Sequence, residues 1–151
     1  MKREIIFRGL CVEDSGFKGE WLYGYLFEDS GGSYIQYSAG GAHKVDPDTV
    51  GQWTGLTDKS GKRVYEGDIG VYCNKHKYIF RYGTYNHNPG NCAPAYVLGW
   101  YLEWADIPGE VEHMYVIDGI AARFPGHCGE SATAVEILKL EIIGNIHDEG
   151  V

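Results

Sequence analysis

With 151 residues, 44% hydrophobic and 23% charged, the chain can build one compact domain or two small fused units but not a large multidomain enzyme. Thirteen Lys and Arg against 21 Asp and Glu give a net charge of −8, a field that repels a nucleic-acid backbone and disfavours generic DNA coating. No run approaches the roughly 18 apolar residues of a bilayer span, and Met1-Lys2-Arg3-Glu4 leads into alternation rather than a signal-peptide core, so a cytoplasmic protein without membrane attachment is expected.

Period-2 alternation opens the chain. Ile5 and Phe7 fall on one side of a segment near 3–9 while Glu4, Ile6 and Arg8 fall on the other, and Trp21, Tyr23 and Tyr25 repeat the pattern over 20–28. Glu13-Asp14-Ser15-Gly16 and Glu28-Asp29-Ser30-Gly31-Gly32 supply reversals, with a strand expected over 33–37. Ser38-Ala39-Gly40-Gly41 breaks the pattern, and Asp46-Pro47-Asp48-Thr49 turns the chain at a fixed proline φ.

Asp58-Lys59-Ser60-Gly61-Lys62 has the offsets of a tight turn with a left-handed residue at Gly61, and Gly67-Asp68 marks a second bend before a strand at 68–73. Strands follow over 77–85, 95–104 and 111–118, the last two joined by a hairpin turn at Asp106-Ile107-Pro108-Gly109. Ser131 can cap a short helix before the final strand, although Val135, Ile137 and Ile142 suit a strand equally. The result is an all-β, mainly antiparallel chain. A β meander and loop over 1–62 packs as one unit with a β part over 63–151 that carries an aromatic-rich insertion at about 86–131. Cys11, Cys73, Cys92 and Cys128 include no C-x-x-C pair, so they are read as thiols, most of them small buried hydrophobes.

Several segments together carry a family likeness. Arg3-Glu4-Ile5-Ile6-Phe7-Arg8-Gly9, Gly19-Glu20-Trp21-Leu22-Tyr23-Gly24, the run Val45 to Leu56, Asp58 to Lys62, Tyr65-Glu66-Gly67-Asp68-Ile69 and Glu141-Ile142-Ile143-Gly144-Asn145-Ile146 resemble, in order and spacing, the YopX family of phage and prophage proteins. The resemblance covers 1–72 and 140–147, whereas the stretch from Asn74 to Ala134 departs from the short family pattern. It implies a bent, SH3-like β-barrel architecture, a phage or prophage origin, an oligomer and no assigned activity. It brings no catalytic residue with it.

The residues themselves offer little chemistry. Glu66 and Asp68 lie on one face at period two, as an acid–base pair would, yet a bend with Asp68 capping nearby amides explains them better. Asp46 and Asp48 read as turn acids around Pro47 rather than metal ligands. Cys73, His76, His127 and Cys128 have the right atoms for zinc, but adjacent His127 and Cys128 would point to opposite faces of a strand. No phosphate loop, dinucleotide fingerprint or nucleophile elbow occurs, so no catalytic residue, metal or cofactor is assigned.

The positive signal is aromatic density from Tyr65 to Tyr115 interleaved with cations. Lys77, Ile79, Arg81 and Gly83 alternate with Tyr78, Phe80, Tyr82 and Thr84. The stronger reading has Tyr78, Phe80 and Tyr82 filling a core while Lys77 and Arg81 stay solvated. The competing one makes Arg81 and Lys75 or Lys77 the anion contacts of a ligand site, with Tyr82 or Trp100 stacking on a planar group. The favoured function is therefore non-enzymatic: a homo-oligomer that binds a host protein or sequesters a small anionic, nucleotide-type defence signal. An SH3-like nucleic-acid-binding regulator and a metal-dependent hydrolase stand behind it.

Overall fold

The computed structural model describes residues 4–72, 76–86, 96–105, 115–117, 120–122 and 140–148. Among them every regular element is a strand except one 3₁₀ turn. The chain divides into two compact units, Met1–Gly55 and Leu56–Val151. The first contains β1 (Phe7–Leu10), β2 (Trp21–Asp29), β3 (Gly32–Ser38), β4 (Gly41–Val45), the 3₁₀ turn Pro47–Thr49 and most of β5 (Gly51–Thr57). The second contains β6 (Arg63–Tyr65), β7 (Asp68–Tyr72), β8 (His76–Asn86), β9 (Tyr96–Trp104), β10 (Tyr115–Ile117), β11 (Ile120–Ala122) and β12 (Glu141–Asn145).

Two six-stranded sheets result, ordered β4-β3-β2-β1-β5-β6 and β10-β11-β9-β8-β7-β12. Each order has two ends, so among the described residues the expected barrel does not close into a ring; the all-β, mainly antiparallel class holds. Among the described residues the strands at 95–104 and 111–118 do not pair as the expected hairpin either. β10 pairs antiparallel with β11, and β11 pairs parallel with β9 at Trp100 and Tyr101, so β9 and β10 are not neighbours. Cys73, Lys75, Cys92, the turn at 106–109, His127, Cys128 and the helix expected from Ser131 lie outside the described residues.

In the first unit, Leu22 packs with Cys11, Ile35 and Val45, and Phe7, Leu26 and Val50 close around them. Around β1, Ile6 and Arg8 are buried and Phe7 packs against the core, while Ile5 is exposed. Arg8 tolerates this because its guanidinium lies 4.6 Å from the centre of the Trp21 ring, a stacking that a planar, weakly hydrated cation favours. β2 changes partners midway. Trp21–Gly24 pair with β1 and Tyr25–Asp29 pair with β3. At the switch, a Cβ on Gly24 would stand 2.0 Å from the Gln36 carbonyl oxygen, so only glycine lets the two backbones approach.

Asp46 turns the chain as expected. Its Oδ1 accepts the Asp48 N–H at 3.0 Å and Thr49 N–H returns to its carbonyl at 3.0 Å, making a capped 3₁₀ turn with Pro47 in its first turn.

The second unit has its own core, in which Val64, Tyr78, Phe80, Trp100, Leu102, Leu140 and Ile142 pack together with Leu56 and Trp104 against them. Tyr78 and Phe80 fill that core, as the stronger sequence reading required, but Tyr82, which that reading also placed there, is half exposed at the end of the packed face. Gly61 and Gly67 both have φ near +85°, the left-handed geometry their turns demand. The buried Asp68 caps the second turn, accepting the Tyr65 N–H at 2.8 Å.

Asp58 does the same for the first turn and more. Its Oδ1 accepts from Ser60 N–H, Ser60 O–H and Lys62 N–H at 2.9, 2.7 and 2.9 Å, and its Oδ2 accepts Ile142 N–H at 3.1 Å from β12. Lys59 adds an ion pair with Glu141 at 3.0 Å. These bonds tie the 58–62 turn to the C-terminal strand, both within the unit Leu56–Val151. No helix among the described residues is long and apolar enough to cross a membrane.

Candidate functional site

β8 and β9 form an antiparallel ribbon in which Tyr78 faces Trp104, Phe80 faces Leu102, Tyr82 faces Trp100, Thr84 faces Leu98 and Asn86 faces Tyr96. Between these lie Ile79 with Glu103, Arg81 with Tyr101, Gly83 with Gly99 and Tyr85 with Val97. Successive residues of a strand point to opposite faces, and cross-strand partners share one. The first set therefore occupies one face and the second set the other.

This parity divides the predicted ligand site. Tyr82 and Trp100 stand together, their rings 5.1 Å apart and edge-on at 70°, with Trp100 at the core margin and Tyr82 half exposed. Arg81 lies on the opposite face, where no bound planar group touches all three. Lys77 is exposed on Arg81's side of the strand, four residues away and opposite Val71 of β7.

Arg81 has different company from that expected. Its Nη2 stands 3.4 Å from Oε1 of Glu103, with the arginine side chain 33% exposed and the carboxylate 12%. Tyr101 sits directly across from Arg81. A Cβ on Gly83 would meet the Tyr101 ring at 3.4 Å, and one on Gly99 would meet the Tyr85 ring at 3.4 Å. Two tyrosines thus lie over a pair of facing glycines, supplying the contact that glycine lacks. Burial raises the Tyr101 phenol above its ordinary value, aided by the negative charges of Glu103 and Glu66 and opposed by Arg81. Burial raises Tyr85 as well. Both therefore remain neutral hydroxyls at neutral pH, able to donate a hydrogen bond. Tyr101 and Glu103 were absent from the sequence expectation, because it is the β8–β9 register, set by the tertiary structure, that brings them to the face of Arg81.

Of the other constellations, the Glu66–Asp68 pair gives a turn cap, whereas three of the four residues considered for zinc, Cys73, His127 and Cys128, lie outside the described residues. Asp68 is committed to its turn. Among the described residues no three His, Cys, Asp or Glu side chains gather as a metal site, and His76 stacks on Trp104 with ring centres 5.8 Å apart.

A second surface lies in the first unit. Tyr23, Tyr25 and Phe27 project from one face of β2 at 48%, 63% and 42% exposure, and the Phe27 ring stacks on Tyr34 of β3 at 5.1 Å and 8°. Around the Gly24 switch, Tyr25, Gln36, Tyr37, Ser38 and Ala39 line a shallow cavity of about 240 Å³. Beside it, Tyr37, His43 and Phe17 form a ring cluster at 5.2 to 5.7 Å, and Glu13 holds the His43 Nδ1 at 2.5 Å. That hydrogen bond from His43, with one from the Lys44 backbone, lowers the Glu13 pKa.

A family model described as YopX protein matches residues 13–150. The match runs through the middle segment that the sequence reading had set apart from the family pattern. No curated protein matches the chain.

Proposed function

The chain belongs to the YopX family, and on that ground we propose that it is a phage-type protein that acts without catalysis, by binding a host protein. The observation that carries this reading is the outward row Tyr23, Tyr25 and Phe27 on β2, an aromatic stripe at the surface of a strand whose opposite face packs the core. Tyr and Phe offer large contact area at the cost of few rotatable bonds, and aromatic anchors dominate the energetics of protein interfaces. Phe27 is held in place by its stack on Tyr34, so part of the surface is ordered before a partner arrives.

The test is a quantitative pull-down from host lysate with wild type and a Tyr25→Ser, Phe27→Ser double variant. A stoichiometric partner retained by wild type and lost with the variant supports the reading. Equal retention by both assigns the contact elsewhere.

A second reading has one supporting observation. Arg81 is a partly exposed guanidinium on a strand position directly across from Tyr101, a pairing suited to a small planar anion. Glu103 competes for that charge, so an anion has to displace it. A thermal shift with one class of nucleotide or metabolite, lost on Arg81→Ala, supports this reading.

A further inference from the structure

We infer that the outer edge of β9 at Tyr96–Gly99 is a self-association surface, to which a second copy of this chain adds its own β9 antiparallel about a two-fold axis at Val97. Three observations lead there, and none of them depends on the host-protein reading.

The first is the open edge. β11 covers β9 only at Trp100 and Tyr101, so among the described residues Tyr96–Gly99 pair with β8 on one side and with no strand on the other. Soluble proteins protect such edges with lysine, proline or a bulge. This edge has none of these: it reads Tyr-Val-Leu-Gly, with Tyr96 and Leu98 68% and 65% exposed and Val97 39%.

The second is charge. Residues 82–86 and 96–100 include no Asp, Glu, Lys or Arg, in a chain of net charge −8. Two such chains repel one another over most of their surface. A neutral patch is where they can meet, and it offers no charge by which a different, oppositely charged partner would be selected.

The third is self-complementarity. Antiparallel pairing about an axis normal to the sheet keeps faces in common, so residues opposite one another must share parity. An axis at Leu98 would place Tyr96 of the incoming strand against Trp100, where β11 already sits. With the axis at Val97, Tyr96 faces the partner copy's Leu98 twice on one face, and the two Val97 side chains meet on the other. Every such pair is apolar, the kind that stabilises cross-strand contacts. Four residues form a short edge beside the ~1,200–2,000 Å² of stable interfaces, so the association is expected at micromolar rather than nanomolar concentration.

Sedimentation velocity across the micromolar range tests this with three proteins. Wild type should form a dimer with rising concentration. Val97→Lys, which sets two like charges against each other on the axis, should weaken dimerisation at least tenfold. Ile143→Lys, adding the same charge at an exposed position of β12, should leave it unchanged. Val97→Cys provides a readout independent of stability. Antiparallel partners lie about 4.5–5.5 Å apart at Cα, within disulfide range, so mild oxidation should yield a covalent dimer whose digest contains the 97–97 linkage. A wild type that stays monomeric, a Val97→Lys variant that dimerises like wild type, equal loss with Ile143→Lys, or a cross-linked dimer without the 97–97 linkage would each overturn the inference.

Discussion

Replacing Asp58 by Ala removes one buried carboxylate and strands four donors at once. Ser60 and Lys62 are exposed, so their three groups can turn to water, each losing a net ~0.5–1.5 kcal/mol at most. Ile142 N–H cannot, because Ile142 is 8% exposed and packed in the core of the second unit; an unsatisfied buried amide costs about 1–3 kcal/mol. The sum centres on about 5 kcal/mol, which for a chain of this size lowers Tm by roughly 10–20 °C.

Asp58→Asn, which keeps the shape but meets converging donors with a single acceptor oxygen, should cost about half as much. The pH dependence has a definite sign. Burial alone would raise the Asp58 pKa, but hydrogen bonds from Ser60, Ile142 and Lys62 outweigh it and hold the group below 3.8. As pH falls, the unfolded chain takes up this proton first, so the stability Asp58 contributes is full above the unfolded value and disappears as pH drops through the lower, folded one. Differential scanning calorimetry of wild type, Asp58→Ala and Asp58→Asn between neutral and acidic pH reads both effects. A loss under 1 kcal/mol for Asp58→Ala, or an acid profile of Asp58→Asn as steep as that of wild type, would refute the clasp between the 58–62 turn and β12.

Gly24→Ala should destabilise the first unit by at least 2 kcal/mol, since its Cβ would lie 2.0 Å from the Gln36 carbonyl and overpacking against backbone costs ~1–3 kcal/mol or more; chemical denaturation followed by Trp21 and Trp53 fluorescence checks it. Phe80→Ala should cost about 3–5 kcal/mol as a core truncation, seen as an earlier urea midpoint. For any anion found to bind at Arg81, Arg81→Ala should weaken binding by about 1.5–3 kcal/mol and Glu103→Gln should strengthen it by releasing the guanidinium; calorimetric titration decides, and equal affinities reject the contact. Above pH 10 the unfolded tyrosines ionise before Tyr85 and Tyr101, whose pKa values are raised, so stability should fall as pH rises there; phenolate absorbance checks the late titration of these two rings.

Much of the fold was legible because turn chemistry is local. Asp58-Lys59-Ser60-Gly61-Lys62 and Gly67-Asp68 specify their geometry within five residues, and the structure places Gly61 and Gly67 in the left-handed region those offsets require. Alternation exposed β2, β3, β8 and β9 for the same reason. β4 was not expected because its sequence, Gly-Ala-His-Lys-Val, buries only Val45, and β6 has just three residues. The burial of Arg8 was not legible, since arginine is seldom buried and the Trp21 ring on which its guanidinium stacks comes from another strand. At the candidate site, parity alone separates Arg81 from Tyr82. The pairing of Arg81 with Tyr101 was hidden, because register across the segment between Asn86 and Tyr96 is set by tertiary structure rather than by any local pattern.

The clasp at Asp58 also bears on how this chain can change. Its bond to Ile142 joins residues 84 positions apart, so everything between them starts and finishes at fixed points. The entropy of closing such an excursion grows only with the logarithm of its length, about 0.6 kcal/mol for each doubling. Residues can therefore be added to or removed from the span between the two anchors at a small thermodynamic penalty, provided the core strands that cross it keep their register. A chain with this clasp has room to vary its middle while its two ends of the span stay put, and length variation in that stretch is the form of sequence change its architecture tolerates best.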